Sequence, residues 1–229
     1  MRHMRILIGY SMRSGSTLLQ HILDGHSAID AYGDLSSIPA LWRCVTGGAM
    51  LQRSICIKPM DVLYLQRRVD FYRHFDRFIW LTRDPRDSYL STIESGYAYL
   101  MWRRGELREG IDLGLLRRWQ RIYRHYFDHP ERWYLLRYED LVSRPVPTVR
   151  ALLDHLDLSH ETLFPFPRFK RRHGGDYKIT EHQHVTTRSR ARYLREMSPA
   201  QMQVFDHELG DALQALGYLP GHEAQRRQA

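Results

Sequence analysis

Short apolar runs alternate with amphipathic stretches along this chain. Arg5-Ile6-Leu7-Ile8-Gly9-Tyr10 is almost wholly apolar, as a strand buried on both faces is, and Leu18, Leu19, Ile22 and Leu23 then recur at helical spacing. Ser54 to Lys58, Arg77 to Thr82 and Trp133 to Arg137 predict three more strands. Helical periodicity covers Leu63 to Phe75, Leu115 to Phe127 and Val149 to Leu156. Asp84-Pro85 has the form of an N-cap followed by proline at the first helical position. Strands separated by helices predict an α/β fold: a P-loop-like parallel sheet of about four to five strands, flanked by helices on both faces. Periodicity fails between residues 165 and 195, which read as a long functional loop, and a capped C-terminal helix is expected from about 198 to 216.

Composition narrows this picture only a little. A length of 229 residues fits one domain spanning the whole chain, and 43% hydrophobic with 12% aromatic residues supply a core. The net charge of +8 points to an anionic partner without choosing among nucleotide, nucleic acid, acidic glycan and membrane surface. Basic residues run from Arg2 to Arg227 among acids, with one compact cluster at Arg168 to Arg172. Most of this charge therefore reads as solvated surface, and no nucleic-acid partner is expected. Cys44 and Cys56 lack the spacing of a disulfide framework or a zinc site, and no metal is expected. Without a signal-like segment or a membrane-length apolar run, the chain reads as cytoplasmic and bacterial.

The chemistry begins in the turn after the first strand, Ser11-Met12-Arg13-Ser14-Gly15-Ser16-Thr17-Leu18. Unpaired N–H groups and the helix dipole favour an anion there. Gly15 lets the backbone approach that anion, Ser14, Ser16 and Thr17 add hydroxyls, and Arg13 adds a forked positive charge. An ordinary turn whose hydroxyls merely cap the helix is the plainer reading. A Walker P-loop is the sharper rival, weakened because the turn contains no lysine.

A second strand-to-helix junction carries Leu81-Thr82-Arg83-Asp84-Pro85-Arg86-Asp87-Ser88-Tyr89-Leu90-Ser91. Arg83 ends the strand, where it can meet a phosphate, and Ser91 lies two turns into the helix. A surface ion pair for Arg83 and a helix contact for Ser91 are the alternatives.

The two junctions together resemble the PAPS-dependent sulfotransferase family, in its bacterial or carbohydrate-type branch. The resemblance implies that Arg13 to Leu18 bind the 5′-phosphosulfate of 3′-phosphoadenosine 5′-phosphosulfate (PAPS), while Arg83 and Ser91 bind its 3′-phosphate. It also implies a product, adenosine 3′,5′-bisphosphate (PAP). Tyr138, in Tyr138-Glu139-Asp140-Leu141, is similar to a residue that lies by the adenine. A late basic contact to the 3′-phosphate falls among residues 186 to 192, with Arg188 and Arg190 as candidates. Neither is selected by spacing.

The family's usual general base is a histidine two positions after a lysine. Here Lys58 stands in Lys58-Pro59-Met60, with methionine in the histidine's place. Other branches use a carboxylate after the first helix, which makes Asp34 the candidate base, His26 a weaker one, and Arg13, Asp34 and Lys58 the catalytic set. A turn or helix cap is an equal reading for Asp34. His182 and His184 lack a third metal ligand, and the aromatic run from Tyr97 to Arg104 fits an acceptor cleft or a core helix alike. The expected activity is sulfuryl transfer by in-line displacement to a hydroxyl or amine of a small-molecule, glycan or lipid acceptor. The alternatives are a P-loop kinase and a basic nucleic-acid-binding protein.

Overall fold

The computed structural model describes residues 3–46, 53–67, 70–96, 104–164 and 185–219. Five parallel strands form the main sheet: β1 (Arg5–Tyr10), β2 (Ile29–Gly33), β3 (Ser54–Lys58), β4 (Arg77–Thr82) and, last in the chain, β7 (Tyr134–Arg137). Their order is β2-β3-β1-β4-β7, with β5 (Leu107–Arg108) and β6 (Ile111–Asp112) forming a separate small hairpin. The helices that flank the sheet are α1 (Ser16–Asp24), α2 (Ser37–Thr46), α3 (Pro85–Ser95), α4 (Leu113–Phe127), α5 (Tyr138–Ser143), α6 (Pro145–His155), α7 (Tyr193–Glu196) and α8 (Pro199–Ala215). Sheet and helices match the α/β class expected from the hydrophobic pattern.

The central strands are the most apolar because they meet protein on both faces. Ile8 of β1 pairs in register with Ile79 of β4, Leu7 pairs with Ile57 of β3, and all four side chains are fully buried. Trp80 and Trp133 meet edge to face at 5.1 Å beside Gly9, where a Cβ would lie 2.4 Å from the Trp80 ring. Helix starts follow local chemistry. Asp84 accepts from Arg86 N–H at 2.9 Å with Pro85 at the first helical position of α3, and Ser198 and Gln201 form a reciprocal capping box at α8.

Among the elements that differ from the sequence expectation, two bear on the site and the core beneath it. The edge strand β2 was not foreseen: Asp30, Gly33 and alternating burial make it a weak strand pattern, stabilised by pairing with β3 and by the Asp30–Arg53 ion pair at 2.8 Å. The helix expected from Leu63 to Phe75 is instead two 3-10 segments, Asp61–Leu65 and Asp70–His74. Tyr64 turns fully into the core and donates to the Ile8 carbonyl at 2.8 Å, so tertiary packing overrides the helical spacing.

In a parallel sheet every strand ends at the same edge. Tyr10, Gly33, Lys58, Thr82 and Arg137 thus line one rim, and the loops leaving it bring the candidate residues together. Among the described residues no helix is long and apolar enough to cross a membrane.

Candidate functional site

The turn from β1 into α1 is shaped by two left-handed residues, Arg13 at φ 62° and Gly15 at φ 90°. Gly15 also answers a steric demand, because a Cβ there would lie 2.4 Å from Cδ2 of Tyr138. Below the turn, the Met12 N–H donates to the buried carboxylate of Asp61, whose Oδ1 accepts from Arg118 Nη2 at 2.9 Å. Burial pushes the Asp61 carboxyl up, against the opposing charges of Arg118 and Lys58.

The second junction closes onto the first. Arg13 Nε donates to Ser91 Oγ at 3.0 Å, and Arg83 Nη1 donates to the Arg13 carbonyl at 3.0 Å. The Arg83 guanidinium lies over the Tyr138 ring, 4.7 Å from its centroid, and Nη2 donates to the Ser189 carbonyl at 2.5 Å. Burial raises the Tyr138 phenol, with Arg83 opposing. Ser14 Oγ and Arg83 Nε are buried in this cluster without a hydrogen-bond partner. Buried donors left unpaired are costly, and an anionic oxygen is the group that would satisfy them. The cluster therefore fits a phosphate or sulfate in its donor chemistry.

The remaining residues of the first motif follow the start of α1. Ser16 and Leu18 are buried, Thr17 is half-buried, and Ser16 is hydrogen-bonded to Tyr10. Arg188 and Arg190 flank the Ser189 that touches Arg83. Both are exposed, however: Arg190 Nη1 donates to Ser143 Oγ at 2.6 Å, and Arg188 offers its backbone N–H to Thr186.

Asp34 and Lys58 meet on the other side of β1. Gly33 and Lys58 are in register at the ends of β2 and β3, and Lys58 Nζ donates to Asp34 Oδ1 at 2.7 Å. Lys58 is 2% exposed against 30% for Asp34 at the side chain, so the ammonium supports the pair from below while the carboxylate reaches solvent. Burial lowers the Lys58 ammonium, and Asp34 works against that shift. Asp34 itself has φ 49°. Left-handed backbone at a non-glycine residue costs about 1–3 kcal/mol and is concentrated at functional sites. The Lys58 ammonium also stands 5.4 Å from the Tyr10 ring centroid, at the end of β1 where the first turn begins. His26 does not belong here. It follows the far end of α1, its Nε2 3.6 Å from Glu161 and hydrogen-bonded to the Ser159 carbonyl at 2.9 Å, so it is no substitute base.

Several supporting residues had no role in the sequence reading. Glu139 accepts from the Asp84 N–H and from the Tyr218 hydroxyl, both at 2.9 Å. Arg86 chelates Asp84 through Nε and Nη2, stacks 3.9 Å over Tyr193 and donates to the Tyr218 carbonyl, while Asp87 accepts from the Tyr193 N–H. Their one sequence cue is the density of charge in the two motifs. Lys170, Lys178, His182, His184 and the stretch 97–103 lie outside the described residues. Among those that are described, no cluster of three His, Cys, Asp or Glu side chains could hold a metal ion.

Residues 76–162 match the model of the sulfotransferase family, a segment that includes Arg83, Ser91 and Tyr138 but not the first turn. By sequence, no curated protein matches the chain. Among solved structures, the sulfotransferase domain of the Synechococcus PCC 7002 olefin synthase aligns at 17% identity over 93% of this chain and 94% of its own, with a TM-score of 0.67. The sulfotransferase domain from the curacin biosynthetic pathway aligns at 17% identity over 92% of this chain and 98% of its own, with a TM-score of 0.59. Mouse sulfotransferase SULT7A1 complexed with PAP aligns at 12% identity over 96% and 90%, with a TM-score of 0.63.

Proposed function

We propose, from the match of residues 76–162 to the sulfotransferase family model and the likeness of the fold to solved sulfotransferase domains, that the chain is a PAPS-dependent sulfotransferase acting as one domain. One observation carries the reading. The two strand-to-helix turns meet in a single locus, tied by Arg13 Nε to Ser91 Oγ at 3.0 Å and by Arg83 Nη1 to the Arg13 carbonyl at 3.0 Å. One nucleotide carrying two anionic groups can satisfy both. The neighbour solved with PAP belongs to the same fold.

In this reading the donor supplies the sulfuryl group and leaves as PAP. Ser14 to Thr17 and the start of α1 bind the 5′ end, with Leu18 closing the turn from below, and Arg13 neutralises charge building on the bridging oxygen. Arg83 and Ser91 hold the 3′-phosphate and Tyr138 borders the adenosine. Arg188 and Arg190, on either side of Ser189, are the candidates for a further contact to the 3′-phosphate. Asp34 accepts the proton of the acceptor hydroxyl on Oδ2, because Lys58 occupies Oδ1 and fixes the carboxylate's orientation. The acceptor oxygen bonds to sulfur as the bond from sulfur to the bridging oxygen breaks, in line.

A thermal-shift comparison tests the reading. PAP at a hundred times its Kd should stabilise the protein by about 2.7 kcal/mol, a rise of about 5–10 °C for a chain of this size. ATP with Mg²⁺ and an oligonucleotide should do neither, and Arg83→Ala should lose most of the PAP effect. Stabilisation by ATP with Mg²⁺ alone would favour a kinase. Stabilisation by the oligonucleotide alone would favour nucleic-acid binding.

A further inference from the structure

Helix α2 and the turn before it, which starts at Asp34, leave large apolar side chains facing outward. The buried residues of α2 are the small Ser37, Ala40 and Cys44. Facing outward are Leu35, 63% exposed in the 3-10 turn Asp34–Ser36 that precedes the helix, and on α2 itself Ile38, 52%, and Trp42, 69%, with Pro39 exposed among them. A surface helix normally turns such residues inward. Of the seven large hydrophobic side chains exposed among the described residues, three fall on this stretch, so the exposure is clustered rather than scattered.

Its position says what the cluster is for. Leu35 is the next residue after Asp34, and the spacing from 35 through 38 to 42 makes one stripe of about 10 Å leading away from the carboxylate. Arg43 is the charged residue along the exposed side of α2, so a polyanionic or sugar body would find few partners there.

We infer that the stripe is the acceptor subsite, and that the acceptor is an amphipathic alcohol whose hydroxyl meets Asp34 and whose hydrocarbon body lies along Leu35, Ile38 and Trp42. The inference rests on the sulfotransferase reading for the role of Asp34, and it adds the class of acceptor.

The test titrates linear 1-alkanols, from butanol to decanol, into the protein with and without PAP, following binding by calorimetry. In the unaltered protein Kd should fall about two- to fourfold per added methylene, the larger figure corresponding to full burial of each CH₂. In Ile38→Ser/Trp42→Ser that dependence should flatten while PAP still binds with unchanged affinity. A Kd independent of chain length, or an unchanged length dependence in the double variant, overturns the inference. So does a protein that is dimeric by sedimentation, becomes monomeric in the double variant and shows no length dependence. Failure of PAP to bind at all would instead count against the sulfotransferase reading, while the alkanol series without nucleotide would still judge the stripe.

Discussion

Replacing Gly15 with alanine tests how tightly the turn after β1 and Tyr138 are fitted. The backbone there has φ 90°, and left-handed geometry costs an alanine about 1–2 kcal/mol. The added methyl would also lie 2.4 Å from Cδ2 of a Tyr138 ring that is only 8% exposed, so the ring must be displaced. Overpacking of that kind costs about 1–3 kcal/mol. Alanine restricts the unfolded chain more than glycine, which returns about 0.4–1 kcal/mol and leaves a net loss of about 2–4 kcal/mol. Tyr138→Ala alone should cost about 3–5 kcal/mol as a buried aromatic truncation. In the double variant the clash is gone and only backbone strain remains. Urea unfolding of the four proteins should therefore give a combined loss about 1–3 kcal/mol smaller than the sum of the single losses. Additive losses, or a Gly15→Ala protein within about 0.5 kcal/mol of the parent, would refute the close fit of ring to turn.

Asp34→Asn should lower kcat by about 10²–10⁴-fold while leaving PAP affinity within about twofold, read by initial rates and by calorimetry; an active variant removes Asp34 from the chemistry. His21 is pushed down to about 4 by burial and by the charge of Lys58. The unfolded chain thus takes up that proton first, and stability that is constant above about pH 6.5 falls by up to about 3 kcal/mol as pH approaches 4. Denaturant midpoints at intervals of half a pH unit should show this slope reduced in His21→Gln but not abolished, because burial holds His125 down as well. Asp84→Ala strands the guanidinium of Arg86, 5% exposed at its side chain, and should cost about 3–5 kcal/mol by urea unfolding. A loss under about 1 kcal/mol would mean that Tyr218 and Tyr193 hold Arg86 without its carboxylate.

The central strands were legible because burial on both faces leaves a continuous apolar run, and the site turns were legible because each motif begins where such a run stops. The edge strand β2 was not, since its pairing with β3 supplies what Asp30 and Gly33 withhold from local propensity. The Asp34–Lys58 pair was half legible. Both residues stood out separately, but only the register of Gly33 with Lys58 brings them to 2.7 Å. The Glu139–Tyr218 bond joins residues 79 apart in sequence, and no local pattern predicts a partner at that distance.

Within one short motif, neighbouring residues serve different ends. Arg83 faces the turn at Arg13, whereas Arg86 and Asp87 hold the C-terminal segment through Tyr218 and Tyr193, with Asp84 anchoring Arg86. That segment carries Ser189, whose carbonyl in turn accepts from Arg83. Scaffold and site are thus mechanically linked, and substituting any charged residue of the motif should lower activity. A loss of activity alone cannot distinguish them. Arg83→Ala should weaken PAP binding far more than it weakens the fold, whereas Asp84→Ala should weaken the fold first, and binding in proportion to the segment it releases.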